Sequence, residues 1–449
     1  MPEKLDRLEI ENRDLRARVD RLEQGNRASL DQELAELNTP GSGRMRANRS
    51  STAEASKLSA ASLDLSRSGL SQAFGGVYTK PFLADSEGVA LGGYASWLYE
   101  DAAGAHRTFE FPRLIPFIYA QVSERVRFAT EIEIEDGHEV EVEFALVDLT
   151  IADAFNLRAG VILDPLGRFN LVHDDPVNEL TDRPLVDVTV IPTTLREVGV
   201  GAFGTLASPD SSIGRVAYEA YLATGFRGLF DDGTVGFDTT GGLDDGKPNE
   251  TIGGVEPYED NNNDLAQVGR IEWSPVLGAA IGLSAHHGDY DEGARNSLLL
   301  LAVDGALDGN AIARAIACEG AIARLLGGFE LLGEWATADI DRDAFARSAG
   351  VPDDLRGWYG QLNYRLYPDC LKEWERSGLL SAGSHFTLVA RRDEIDLDGF
   401  ERQRWTFGVN FRPNRSQTVF KLDCQLNRES GATANADDDA VLVSVATYF

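Results

Sequence analysis

The chain has 449 residues, 43% of them hydrophobic, with 45 glycines and a formal net charge of -31 from 73 acidic and 42 basic residues. That balance excludes nucleic acid as the main partner, because a phosphate backbone needs a basic footprint. No stretch approaches the roughly 18 uninterrupted apolar residues of a membrane-spanning helix, so any crossing of a bilayer must be made by strands.

Residues 3–24 place Leu5, Leu8, Leu15, Val19 and Leu22 at successive a and d positions of one heptad register, with Asn12 filling the gap. So narrow a seam on a charged helix finds burial only against copies of itself. It predicts an α-helical coiled-coil stalk over residues 1–38, with Asn12 fixing the register. Thr39-Pro40-Gly41-Ser42-Gly43 ends the helical pattern, and 39–87 reads as a linker rich in Ser, Ala, Arg and Asn. The N-terminus is charged from its third residue and does not read as a secretory signal.

After residue 88 the pattern changes to a period of two. VRFATEIEIE (126–135) and HEVEVEFALVDL (138–149) flank Asp136-Gly137, a strong hairpin signal. Val126, Phe128, Ile132 and Ile134 share a face opposite Arg127, Glu131, Glu133 and Glu135. In the partner, Val140, Val142, Phe144 and Leu146 oppose Glu139, Glu141 and Glu143. A face so charged cannot be a dry core, and the apolar face must meet something nonpolar; water inside and lipid outside satisfy both.

With 89–100 and 107–122, further segments at 155–164, 195–205, 213–225, 265–273, 276–289, 310–323, 327–338, 356–367, 384–395, 402–412, 417–428 and 440–449 complete sixteen strands. The fold class is therefore all-β, a 16-stranded antiparallel transmembrane β-barrel over 88–449 preceded by the helical coil. Short connections such as 152–154, Ser274-Pro275 and 413–415 alternate with long ones at 165–194, 226–264 and 339–355, as in bacterial barrels whose turns and loops face opposite sides. The segment 297–307 is also period two, but a seventeenth strand would put 339–355 on the turn side, so parity assigns it to an outer-loop excursion. The segment 368–383 is over-long for a turn in this scheme. The last residues, AVLVSVATYF, should close the barrel against 89–100 with Val441, Val443 and Val445 facing lipid.

Alternation places Arg127, Arg158, Arg215, Arg270, Arg365, Arg391, Arg404 and Lys421 on the lumen face, together with acids that include Glu219, Glu272 and Asp423. Each arginine either lines a pore or stiffens the wall through a salt bridge. The third outer loop, 165–194, offers Arg168 and Arg183 beside Asp174, Asp175, Glu179, Asp182 and Asp187, a set able to impose a transverse field on passing solutes. The Asp/Asn/Gly-rich stretch 231–264 lacks EF-hand spacing and reads as solvated loop. Cys318, Cys370 and Cys424 form neither a disulfide framework nor a zinc knuckle, and His286-His287 lies in an alternating strand. No nucleophile motif stands out, so no enzyme, cofactor or metal is predicted.

The chain resembles the phosphate-selective porin family of Gram-negative outer membranes. The likeness is carried by GGYASWLYE, FEFPRLIPFIYAQVSERVRFATEIEIE, FNLRAGVILDPLGRFN, WYGQLNYRLYP, FTLVARRDEIDL, WTFGVNFRPN and the terminal Phe449, and spans residues 88–449. It implies an outer-membrane barrel, usually trimeric, that passes small solutes or ions passively, phosphate-like anions among them. It also implies a third loop folded into the lumen as the constriction. Expected partners are outer-membrane lipid, the solutes and two further copies of the chain, with the coil in the periplasm. The alternative is a structural tether, in which the coil reaches peptidoglycan or another envelope layer and the barrel is its anchor.

Overall fold

The computed structural model describes residues 89–248, 252, 258–381, 383–413, 417–430 and 438–449. The expected coil at 1–38 and linker at 39–87 lie outside the described residues. Sixteen strands among them form one closed antiparallel barrel. They are β1 (Val89–Ala102), β2 (Thr108–Gln121), β3 (Val126–Glu135), β4 (Glu139–Ala152), β5 (Phe155–Leu163), β6 (Arg196–Ala207), β7 (Arg215–Ala223) and β8 (Ala266–Val276). The second half comprises β9 (Ala279–Asp289), β10 (Ser297–Asp308), β11 (Phe329–Ile340), β12 (Asp354–Leu366), β13 (His385–Leu397), β14 (Phe400–Arg412), β15 (Thr418–Ser430) and β16 (Ala440–Tyr448). Each strand pairs with its sequence neighbours, and β16 returns to β1 from Tyr94↔Tyr448 to Ala102↔Ala440. Closure leaves no strand edge unpaired, the condition for backbone to sit in hydrocarbon.

The outer face is apolar all the way round. Val200, Leu222, Ile271, Leu283, Leu301, Leu331, Leu362, Leu388, Phe407, Leu422 and Val443 all project outward and are exposed. Aromatic side chains gather at both ends of this belt, with Trp97 against Phe111 and Tyr99 against Phe109 at the rim bearing the long loops. Phe329 meets Tyr364, and Phe386 meets Phe411, at the rim bearing the turns. A continuous apolar belt between two aromatic girdles matches a bilayer and not water. Val441 and Val443 lie on this face, as the terminal pattern predicts.

Four expectations need correction. The segment 297–307 is β10, fully paired on both sides. The segment 310–323 is not a strand but parts of two short helices, Gly309–Ala315 and Gly320–Leu326, in the turn-side connection. Its Ala/Ile alternation fits a helical period as well as a strand period, and Asp308 decides the matter by capping the Asn310 amide at 2.6 Å. The parity argument therefore kept the right strand count and discarded the wrong segment. The over-long segment 368–383 holds another short helix, Asp369–Arg376. The turn expected at Ser274-Pro275 sits instead at Leu277-Gly278, where Gly278 has φ 91°.

The hairpin at Asp136-Gly137 forms as expected, both residues adopting positive φ (49° and 74°) as a type I′ turn requires. Below it, however, the β3–β4 register shifts between Glu131 and Ile132. A bulge reverses which face a residue occupies. Phe144 and Leu146, expected outside, therefore point inward and pack with Tyr94, Phe117, Tyr119 and Tyr448. Asp148 turns inward with them, opposite Arg127.

Candidate functional site

The long loop 164–195 folds into the barrel, and the wall grips its backbone at successive points. At its start Gly167 donates its N–H to Ser284 Oγ (3.0 Å), and Glu334 accepts the amides of Arg168 (2.9 Å) and Phe169 (3.2 Å). A Cβ on Gly167, whose φ is 62°, would stand 1.7 Å from the Glu334 carboxylate, so only glycine fits. Further along, Arg412 donates to the Pro176 carbonyl (2.7 Å), while the Lys421 ammonium donates to the carbonyls of Asp175 (2.9 Å) and Leu180 (3.0 Å). Arg391 reaches the carbonyls of Asp182 (3.0 Å) and Arg183 (3.1 Å), and Asp393 accepts the Leu185 amide (3.1 Å).

Apolar packing completes the hold. Around the short helix α1 (Val186–Thr189), Leu185, Val186, Val190, Ile191 and Leu195 are buried against Tyr221, Val268, Leu298, Leu300, Ala336 and Tyr359 of the wall. Phe226, Phe237 and Leu243 from the connection after β7 join the same core. The loop and this core occupy the half of the lumen beside β7–β13.

The other half keeps a cavity of about 370 Å³ between the loop and the wall formed by β14, β15, β16, β1 and β2. Its cationic side chains are Arg113, Arg183, Arg402, Arg404 and Lys421, and its anionic ones are Asp175 and Asp182. Arg404 lies 3.4 Å from Asp182, and Arg113 lies 3.4 Å from Glu133 behind the lining. Burial alone would push the Asp175 carboxyl up, but Arg113 and Lys421 outweigh it and hold it below the ordinary aspartate value. Burial, and then the like charge of Arg113, lower the Arg183 guanidinium. The lining thus holds five cations and two carboxylates, with Arg402 paired in turn with Glu429 (3.4 Å) and Asp438 just outside it.

Of the seven loop residues expected at the constriction, Asp175, Asp182 and Arg183 line this cavity. Arg168, Asp174, Glu179 and Asp187 are buried instead: Asp174 accepts a hydrogen bond from the Tyr448 hydroxyl, Glu179 pairs with Arg412 (3.2 Å), and Asp187 stands beside Glu334. Of the eight lumen-face cations, Arg404 and Lys421 line the cavity. Arg391 and Arg270 hold loop carbonyls, Arg270 at Gly167 (3.1 Å). Arg158, Arg215 and Arg365 pair with Asp148, Glu272 and Glu330 at 2.8–3.0 Å, and Arg127 lies 3.9 Å from Asp148. Sequence reasoning missed Arg113 and Arg402. Arg402 shares a face with Arg404 and could have been read from alternation, whereas Arg113 sits among aromatics that resemble a lipid-facing run.

No model of a known protein family matches the chain. An uncharacterised protein of Aquifex aeolicus (strain VF5) is 32% identical over 151 residues, covering 31% of this chain and 33% of that protein. The chain thus matches about a third of that relative's length. Among solved structures, the loop L8 deletion mutant of OmpT, an outer membrane protein of Vibrio cholerae, is 8% identical with a TM-score of 0.49, covering 80% of this chain and 99% of that one. Salmonella typhi OmpF in complex with daunomycin is 9% identical with a TM-score of 0.49, covering 80% and 97%. The outer membrane channel DcaP of Acinetobacter baumannii is 9% identical with a TM-score of 0.47, again covering 80% and 97%.

Proposed function

We propose that the chain is an outer-membrane porin in which small solutes diffuse passively between the inward loop and the β14–β2 wall, with a preference for small anions such as phosphate. The observation that carries this reading is the cationic excess around the cavity that the loop leaves open. A low-dielectric wall focuses the field of such a ring, raising the local concentration of counter-ions and favouring the entry of anions. Asp175 and Asp182 stand on the loop and Arg113, Arg402 and Arg404 on the wall, so acid and base approach from opposite sides and supply a transverse component that orients a dipolar solute. The acidic total charge does not oppose this, since much of it belongs to solvated connections such as 231–264 and is screened within about 8–10 Å at physiological salt.

The homotrimer belongs to the same proposal. Reversal potentials across a planar bilayer in a KCl gradient test it, comparing the parent protein with Arg183→Glu/Arg404→Glu. The parent should be anion-selective, with conductance stepping in threes, and the variant should move toward cation selectivity. A parent reversal potential of zero or of cationic sign overturns the anion preference. Folded protein that carries no current overturns the channel and favours a tether acting through residues 1–38.

A further inference from the structure

Asp164, Glu197 and His286 come together where the inward loop leaves and rejoins the wall. Asp164 is the first residue of the loop, Glu197 is the second residue of β6, and His286 stands on β9. They are 1%, 0% and 1% exposed, and one ligand atom from each lies within 4.8 Å of the others. His286 Nε2 is 2.9 Å from Glu197 Oε1. Asp164 Oδ2, Glu197 Oε2 and His286 Nδ1 have no hydrogen-bond partner.

This cluster differs from the wall acids that are paired with arginine. Asp148, Glu219, Glu272, Asp304 and Glu330 each have an arginine within 3.6 Å. Among the described residues no lysine or arginine forms an ion pair with Asp164 or Glu197, and the Phe226 ring lies edge-on 5.0 Å from His286. Two buried carboxylates with unpartnered oxygens and no cation are costly unless something positive joins them.

We propose that these three side chains bind one divalent transition-metal ion of the zinc or manganese class, which fastens both feet of the inward loop to the wall. The inference stands independently of the channel reading. One imidazole and two carboxylates suit a borderline ion, whereas calcium prefers an all-oxygen set and no thiolate is present to recruit softer metals. Ligands at about 2.0–2.2 Å in a tetrahedron sit about 3.4 Å apart, so side-chain adjustments close the set around the ion and leave a fourth position for water. The dication supplies the charge that the surrounding apolar core withholds.

The test uses full-length protein in detergent, stripped with EDTA, dialysed against Zn2+ or Mn2+ and assayed by elemental analysis, with folding checked by mobility on unheated gels. The parent should retain one equivalent per chain, and a hundredfold excess of Ca2+ should not remove it. Asp164→Asn, Glu197→Gln and His286→Gln should each weaken retention at least tenfold, while His287→Gln, a change on the exposed face of the same strand, should leave it intact. Retention by His286→Gln, displacement by Ca2+, or no retained metal in the parent overturns the proposal. Should the variants fail to fold, Co2+ bound to the parent decides: an intense visible band of four- or five-coordinate cobalt is expected, and a weak six-coordinate spectrum overturns it.

Discussion

Arg158 is 3% exposed, yet its guanidinium grips Asp148 through Nε (2.8 Å) and Nη2 (2.9 Å), lies 3.6 Å from Glu219 and covers the Phe203 ring at 4.6 Å. Desolvating such a group offsets much of its attraction, so its presence alone says little about stability; removing one partner says more, because the other stays buried and charged. Arg158→Met is expected to cost about 3–5 kcal/mol, and Arg158→Met/Asp148→Leu to recover most of it, in urea unfolding of the detergent-folded protein. A single variant no less stable than the parent would remove Arg158 from the wall's framework. Alternation alone showed Arg158 facing inward. Its partner was hidden, because Asp148 reaches that face only through the bulge beside Glu131, which one strand's pattern does not reveal.

Among its polar contacts, the inward loop is held mainly by wall side chains that meet its backbone. Arg391, Arg412 and Lys421 donate to its carbonyls, and Glu334, Asp393 and Asp423 accept its amides. A backbone oxygen leaves no mark in sequence, which is why the charges were legible and their targets were not. Asp187 is the discordant member. Its carboxylate oxygens meet no donor apart from the neighbouring Glu334 carboxyl, and burial, followed by that acid, pushes it well above the ordinary aspartate value. The folded state then holds the proton more tightly than the unfolded chain. Stability from this group is present at low pH and is lost as pH rises from the ordinary range near 4 through the raised value. Asp187→Asn should match the parent near pH 4 and exceed it at pH 8 in urea midpoint; equal differences at both pH values would show that the charge is not the cause.

The whole molecule offers its own probe in its cysteines. Cys424 projects from β15 into the outer belt, opposite Phe407 and Val441, whereas Cys370 is exposed in the helix between β12 and β13 at the turn rim. In bilayers a water-soluble maleimide should label Cys370 and spare Cys424, and on the outer-membrane reading proposed above it should reach Cys370 in intact cells only after that membrane is permeabilised. Ready labelling of Cys424 would contradict the belt. Barrel, strand count and closing pair were readable, because period two survives along most strands; the identity of the tenth strand was not, because Ala and Ile satisfy a helix equally well. The open cavity adjoins β14, β15, β16, β1 and β2, the same strands that meet when the cylinder closes. The wall of that cavity is therefore complete only when the two ends of the chain have joined: the lining on β14 and β15 and that on β1 and β2 share one wall solely through the pairing of β16 with β1.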